Sequence, residues 1–163
     1  SKLVTEKMLH DSLRRLNRDV IDIYMIHWPD AAVDIREPLE VLKTAQDKGK
    51  IKYLGLCNTN PLDLKKAQEI GEIKVIQSEL NFFNQEPFDR LESEWRKYFS
   101  MSWGTFDKGI LTGRVRADRK YSSDDARSWA PWWNKKEVLV KIDKTTELKR
   151  TLDRFNISLT DFC

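Results

Sequence analysis

Short apolar runs alternate with segments of helical periodicity along most of this chain. The first run, Val20-Ile21-Asp22-Ile23-Tyr24-Met25-Ile26, is rich in β-branched residues and almost continuously apolar. That is the pattern of a strand buried on both faces. Pro29 and Asp30 end it. A second run covers Ile51 to Cys57, a third Lys74 to Leu80, and a fourth about Tyr98 to Trp103. Helical spacing fills the gaps. Thr5 can cap a helix that carries Leu9, Leu13 and Leu16, with Arg14, Arg15 and Arg18 near its end, where cations suit the helix dipole. Pro38 fits the first turn of a helix holding Leu39, Leu42 and Ala45, and Gly49 fits its C′ position. Asn60 can cap and Pro61 can start a third helix, with Leu64, Ala67 and Ile70 inward and Gly71 closing it. A further helix is read from Pro87 to Arg96. Gly104 to about Lys136 reads as loop, and a last long helix runs from Lys135 to Phe155, its continuity through the middle left open.

Strand and helix in strict alternation predict a parallel sheet with right-handed crossovers. A doubly wound sheet and a (β/α)8 barrel both satisfy that pattern. No GxGxxG follows any strand, so the dinucleotide fingerprint of the doubly wound class is absent, and so is a phosphate-binding P-loop. The chain opens at Ser1 without Met, and Asn156 to Cys163 reads as the start of a helix with no stop signal. Truncation at both ends is the expectation from those two features.

Composition removes several classes. With 40% hydrophobic residues the chain is too apolar to be disordered. The 29 basic and 26 acidic side chains are interspersed, and no basic block of the kind that grips nucleic acid stands out. Cys57 and Cys163 lack the CxxC spacing of a zinc site and are too few for a disulfide scaffold. No metal site is expected. No stretch reaches the ~20 apolar residues of a membrane span, and no signal peptide is evident. A reducing, cytoplasmic setting is the expectation.

Function in either parallel architecture sits at the carboxyl ends of the strands. There the chain places His27-Trp28, Cys57-Asn58, Gln77 with Asn81 beyond it, and Trp103-Gly104-Thr105. Each has a plainer explanation. A lone His at a strand end is more often structural than chemical. Asn58 could simply cap the helix that begins at Pro61. Trp103, and the run Trp129, Trp132 and Trp133, could be packing, or the run could be a lid. Gln77 is harder to set aside, because a buried amide without partners costs ~1–3 kcal/mol. The shared placement at one end of consecutive strands weighs more than any residue alone.

Four blocks then carry a resemblance. Ser12-Leu13-Arg14-Arg15-Leu16 with Asp19 to Pro29 resembles the fourth-strand signature of the aldo-keto reductases. Gly49 to Asn58 is similar to their fifth-strand segment, Gln77-Ser78-Glu79-Leu80-Asn81 to the sixth, and Trp103 to Arg114 to the cofactor loop after the seventh. Order and spacing match across nearly the whole chain. The resemblance implies part of a (β/α)8 TIM barrel, about four parallel strands with flanking helices, forming a single incomplete domain that lacks strands one to three and strand eight. It also implies an NADP(H)-dependent enzyme that reduces a small-molecule aldehyde or ketone by hydride transfer.

The roles follow from the resemblance. His27 takes the place of the His that orients the substrate carbonyl, with Trp28 a substrate contact. Cys57 and Asn58 correspond to the Ser-Asn pair at the nicotinamide carboxamide, and Gln77 to the Gln on the same amide. Trp103 corresponds to the aromatic stacked on the nicotinamide. Gly104, Thr105, Phe106, Asp107, Lys108 and Arg114 would lie along the pyrophosphate. A thiol at Cys57 is a poorer hydrogen-bonding group than the family's hydroxyl, and Gly104-Thr105 replaces the commoner Ser-Pro. Tyr24, Tyr53, Tyr98 and Tyr121 do not lie at the family's Tyr position, and its catalytic Asp, Tyr and Lys fall outside the chain. Little or no turnover by the chain alone is therefore expected, as is self-association through open barrel edges. The alternative is a nucleotide-binding regulatory subunit like the potassium-channel β subunits, which also resemble this family and carry Trp at the stacking position. An unrelated α/β domain with a structural His27 remains the plainest reading.

Overall fold

The computed structural model describes residues 2–86, 89 and 96–163. The helix expected from Pro87 to Arg96 falls mostly outside them. The chain divides into two compact units, Ser1–Leu80 with Gln85–Trp103, and Asn81–Asn84 with Gly104–Cys163.

The first unit alternates as the sequence reads: α1 (Lys2–Leu16), β1 (Ile21–Ile26), α2 (Arg36–Asp47), β2 (Ile51–Cys57), α3 (Pro61–Ile70), β3 (Ile73–Glu79) and β4 (Phe99–Trp103). Gly49, at φ +73, follows α2 in the left-handed form that lets the chain turn into β2. Asn60 caps α3, its side chain accepting from the Asp63 N–H at 2.9 Å, with Pro61 at the first helical position.

The strands lie parallel in the order β1-β2-β3-β4. Each new strand is added on the same side of the last. That sequential order belongs to a barrel wall and not to a doubly wound sheet, where the order reverses. The core agrees. Leu9 and Leu13 of α1, Leu39 and Leu42 of α2 and Leu64 and Ala67 of α3 all join one cluster with Leu54, Leu56 and Ile76 of the sheet. Burying each Leu or Ile in that cluster stabilises the unit by roughly 1.5–3 kcal/mol. The chain is thus α/β, a partial (β/α)8 arrangement of four parallel strands with helices on one face.

Strand register identifies the opposite face. Ile23 pairs with Tyr53, Met25 with Gly55, Gly55 with Val75, Val75 with Phe99, Cys57 with Gln77, and Gln77 with Met101. Alternation puts all of these on the face away from the helices. Gly55 is required there: a Cβ would stand 2.6 Å from Cγ of Met25 and 3.0 Å from the carbonyl oxygen of Val75. This face also corrects the reading of Val20–Ile26 as a strand buried on both sides. Ile23 is 40% exposed. β1 forms an edge of the sheet, and the helices cover the side that carries Tyr24 and Ile26.

The second unit has a 3-10 segment at Asp107–Thr112, a short one at Ala126–Ser128, helix α4 (Lys135–Asp153) and helix α5 (Leu159–Phe162). The stretch read as loop is therefore partly helical, and α4 runs unbroken. Asn134 caps α4 by accepting from the Lys136 and Glu137 N–H groups. Ile110, Val115 and Val138 form the unit's core, with Phe83, Trp133 and Ile142 packed on it. Trp133 is thus a packing residue, whereas Trp129 and Trp132 are exposed. Among the described residues no helix is long and apolar enough to cross a membrane.

Candidate functional site

β2 ends at Cys57, and the next residue, Asn58, adopts a left-handed conformation, φ +53. Asn tolerates this region better than most residues. Its backbone N–H still donates to the Gln77 carbonyl at 2.8 Å, so the turn begins while the chain is tied to β3. The side chain then reaches across the sheet. Asn58 Nδ2 donates to the His27 carbonyl at 3.0 Å, beyond β1, and Asn58 Oδ1 accepts from the Trp103 indole Nε1 at 2.9 Å, at the end of β4. Capping α3 falls to Asn60, so the capping explanation for Asn58 does not hold.

Beneath this bridge, the Cys57 thiol donates to Gln77 Oε1 at 3.4 Å, and Asn58 Nδ2 lies 3.2 Å from Cys57 Sγ. Burial pushes the Cys57 thiol above its ordinary pKa, which keeps the proton on sulfur as the donor. Gln77 is half-buried, and its Nε2 has no protein partner among the described residues. Trp28 meets Trp103 edge-on at 6.3 Å and the His27 ring at 5.9 Å. His27 and Trp28 are exposed, Trp28 at 63%.

Six residues singled out from the sequence, His27, Trp28, Cys57, Asn58, Gln77 and Trp103, thus gather at the carboxyl end of the four strands. The arrangement offers an amide donor, a half-buried indole and an exposed imidazole within one end of the unit. Such a set can hold a flat amide-bearing ring and present a donor to an oxygen beside it.

The other predicted residues belong to the second unit. Gly104 (φ +68), Asp107 (φ +41), Lys108 (φ +57) and Gly109 (φ +97) make a left-handed turn. The Asp107 N–H donates to the Gly104 carbonyl at 2.8 Å, and Asn81 Nδ2 donates to the same oxygen at 3.1 Å. Thr105 is half-buried and Phe106 exposed. Asp107 is 1% exposed, its carboxylate on Lys108 and Lys141. Arg114 is exposed after Gly113, where a Cβ would come within 2.9 Å of Leu159. Lys141 was not anticipated from sequence. It lies 34 residues beyond its partner on a helix face, and nothing in its neighbourhood marks it.

The aldo/keto reductase family model matches residues 2–158. The chain belongs to that family. This aldo/keto reductase chain is 30% identical over 148 residues to the aldo-keto reductase YhdN of Bacillus subtilis, covering 88% of this chain and 45% of that one. It is 27% identical over 153 residues to the NADH-specific methylglyoxal reductase of Escherichia coli, covering 91% and 46%. Among solved structures it resembles the glycerol dehydrogenase of Gluconobacter oxydans, with a TM-score of 0.84 and 28% identity over 99% of this chain and 50% of that one. The chain spans about half the length of these relatives.

Proposed function

We propose that this chain is the nicotinamide-side part of an NADP(H)-dependent reductase acting on a small aldehyde or ketone. The observation that carries the reading is the Asn58 bridge, which ties the ends of β1, β2 and β4 together beside Gln77. A bound NADP(H) supplies the hydride. The residues present fit that group: Gln77 Nε2 is a donor without a protein partner among the described residues, at the same end of the sheet as the indole of Trp103.

In this reading Gln77 donates to the carboxamide oxygen, and Trp103 lies against the ring and keeps water from one face. Asn58 acts mainly through others, since both ends of its amide are engaged. His27 donates to the substrate oxygen as negative charge builds on it, and Trp28 bounds the substrate side. Fixing ring and carbonyl in one geometry contributes the entropic part of the rate. By the family resemblance alone, Lys108 and Arg114 of the second unit would offer cations, and Gly104 to Phe106 backbone, to a dinucleotide's phosphates. NADP(H) is put ahead of NADH on the resemblance alone.

The tyrosines support the expectation that the chain by itself turns over little. Tyr24 packs on the helix-side core, Tyr53 lies within β2 four residues before Cys57, Tyr98 accepts from Gln68, and Tyr121 lies under Arg127. None is offered as proton donor, and loss of a general acid typically costs ~10²–10⁴-fold in rate.

The test is a titration of the 163-residue chain with NADPH and with NADH, followed by quenching of tryptophan emission. Saturable binding is expected, weakened about tenfold or more in Gln77→Ala and Trp103→Ala. No binding of either dinucleotide, or binding untouched by both substitutions, would overturn the reading. Brisk carbonyl reduction by the chain would overturn the expected inactivity.

A further inference from the structure

The second unit buries a carboxylate that the proposed chemistry does not use. Asp107 is 1% exposed, and its two oxygens are divided between two ammonium groups: Oδ2 accepts from Lys141 Nζ at 2.7 Å and Oδ1 from Lys108 Nζ at 3.2 Å. Lys141 comes from α4, and its Nζ also lies 5.4 Å from the centroid of the Phe83 ring. Lys108 Nζ also stands 5.7 Å over the Trp132 ring.

The backbone at this carboxylate is unusual. Asp107, Lys108 and Gly109 have φ of 41, 57 and 97 in succession; Asp tolerates the left-handed region, whereas the long side chain of Lys108 is uncommon there. Such a turn persists only where surrounding contacts over-determine it. Hydrogen bonds within the turn, from Asp107 N to Gly104 O at 2.8 Å and from Gly109 N to Phe106 O at 2.9 Å, are local. The ion pair to Lys141 ties the turn to a helix 34 residues away.

We propose that Asp107 and Lys141 form a latch that holds the 104–109 turn in its left-handed form, making Asp107 a positioning residue and not a cofactor ligand. The proposal rests on the reading above only in assigning that turn to the cofactor's phosphates. A bare carboxylate beside phosphates would repel them. Here the carboxylate is buried and engaged by two ammonium groups, so it is not presented bare. The latch therefore predicts the opposite of simple charge arithmetic: neutralising Asp107 weakens dinucleotide binding instead of tightening it.

The experiment compares the full chain with Asp107→Asn, Lys141→Met, the double variant and Lys141→Arg. Asn keeps Asp's tolerance of positive φ, and Met keeps an unbranched apolar stem while removing the ammonium from both Asp107 and the Phe83 ring. Hydrogen exchange without cofactor is read first. Either single variant is expected to exchange about tenfold or more faster at the 104–113 amides, with the strands of the first unit unchanged. The double variant should be no faster than the worse single one, since a broken latch cannot break twice, and Lys141→Arg should restore much of the protection. Unchanged exchange at 104–113, acceleration spread evenly through the second unit, or additive singles would overturn the latch. If Asp107→Asn does not fold, Lys141→Met and Lys141→Arg decide the matter alone. NADPH titration of the same proteins should show about tenfold weaker binding in both singles and the double alike, and tighter binding in Asp107→Asn would overturn the proposal. Should the unsubstituted chain bind no dinucleotide, the functional reading fails while the exchange result still decides the latch.

Discussion

The indole Nε1 of Trp103 donates to Oδ1 of Asn58 at 2.9 Å, joining the last described strand of the sheet to the turn that follows the second. The ring therefore has a fixed orientation at its strand end before anything binds. Trp103→Phe keeps an aromatic face but leaves the half-buried Asn58 oxygen without its donor. Stability should fall by about 0.5–1.5 kcal/mol, read from urea unfolding, and dinucleotide binding should weaken less than in Trp103→Ala. Equal losses of binding in both variants would mean that the N–H, not the face, is what matters at this position.

Gly55 sets how closely β1, β2 and β3 approach. Its missing Cβ leaves room for Met25 Cγ and the Val75 carbonyl, at 2.6 and 3.0 Å from where that atom would lie. Met25 can swing aside, but the backbone oxygen cannot. Gly55→Ala should destabilise the chain by about 1–3 kcal/mol, as overpacking does. Adding Met25→Ala should recover only part, measured as the shift in denaturation midpoint at constant slope.

Asn58 and Asn60 stand two residues apart and do different work. Asn60 accepts from the Asp63 N–H at 2.9 Å and caps α3, so Asn60→Ala should cost about 1 kcal/mol of stability and leave cofactor affinity unchanged. Asn58→Gly suits the left-handed backbone while removing the bridge to His27 and Trp103. It should lower dinucleotide affinity out of proportion to its effect on unfolding. Paired titration and melting of the two variants separates the roles, and matching profiles would deny Asn58 its part.

Much of the first unit is legible in the sequence because each level points the same way. β-branched runs, Pro61 behind Asn60, and Gly49 after α2 are local signals that survive folding. The open face of β1 is not legible, because an apolar run reports what a strand needs and not what covers it: Ile23 faces away from the helices and stays 40% exposed. The site was legible as positions but not as contacts. Nothing local tells that Asn58 turns to φ +53 and spans to Trp103, 45 residues on. The second unit was least readable. Its turn at Asp107 depends on Lys141, a partner set by tertiary packing, and its short 3-10 segments lack the periodicity that reveals longer helices.

Asp125 carries an acid signature. Its carboxylate accepts from Arg127 through Nε at 3.0 Å and Nη2 at 2.6 Å, and from the Arg127 N–H at 2.9 Å. The guanidinium first, then the backbone N–H, holds the carboxyl down to about 2. An unfolded Asp titrates near ~3.9. Because the folded value is the lower one, the charged form is favoured by folding. The contribution is complete above the unfolded value and is lost as pH falls through about 2. Asp125→Asn lacks this carboxyl but can keep the bond from the backbone N–H. The stability difference between parent and variant should be constant at neutral pH, begin to shrink below about 4 and close near the bottom of the window. Melting curves across acid pH, at fixed salt, would show it. A difference that persists unchanged at the acid end would mean that the carboxylate's charge contributes nothing to holding Arg127 over Tyr121.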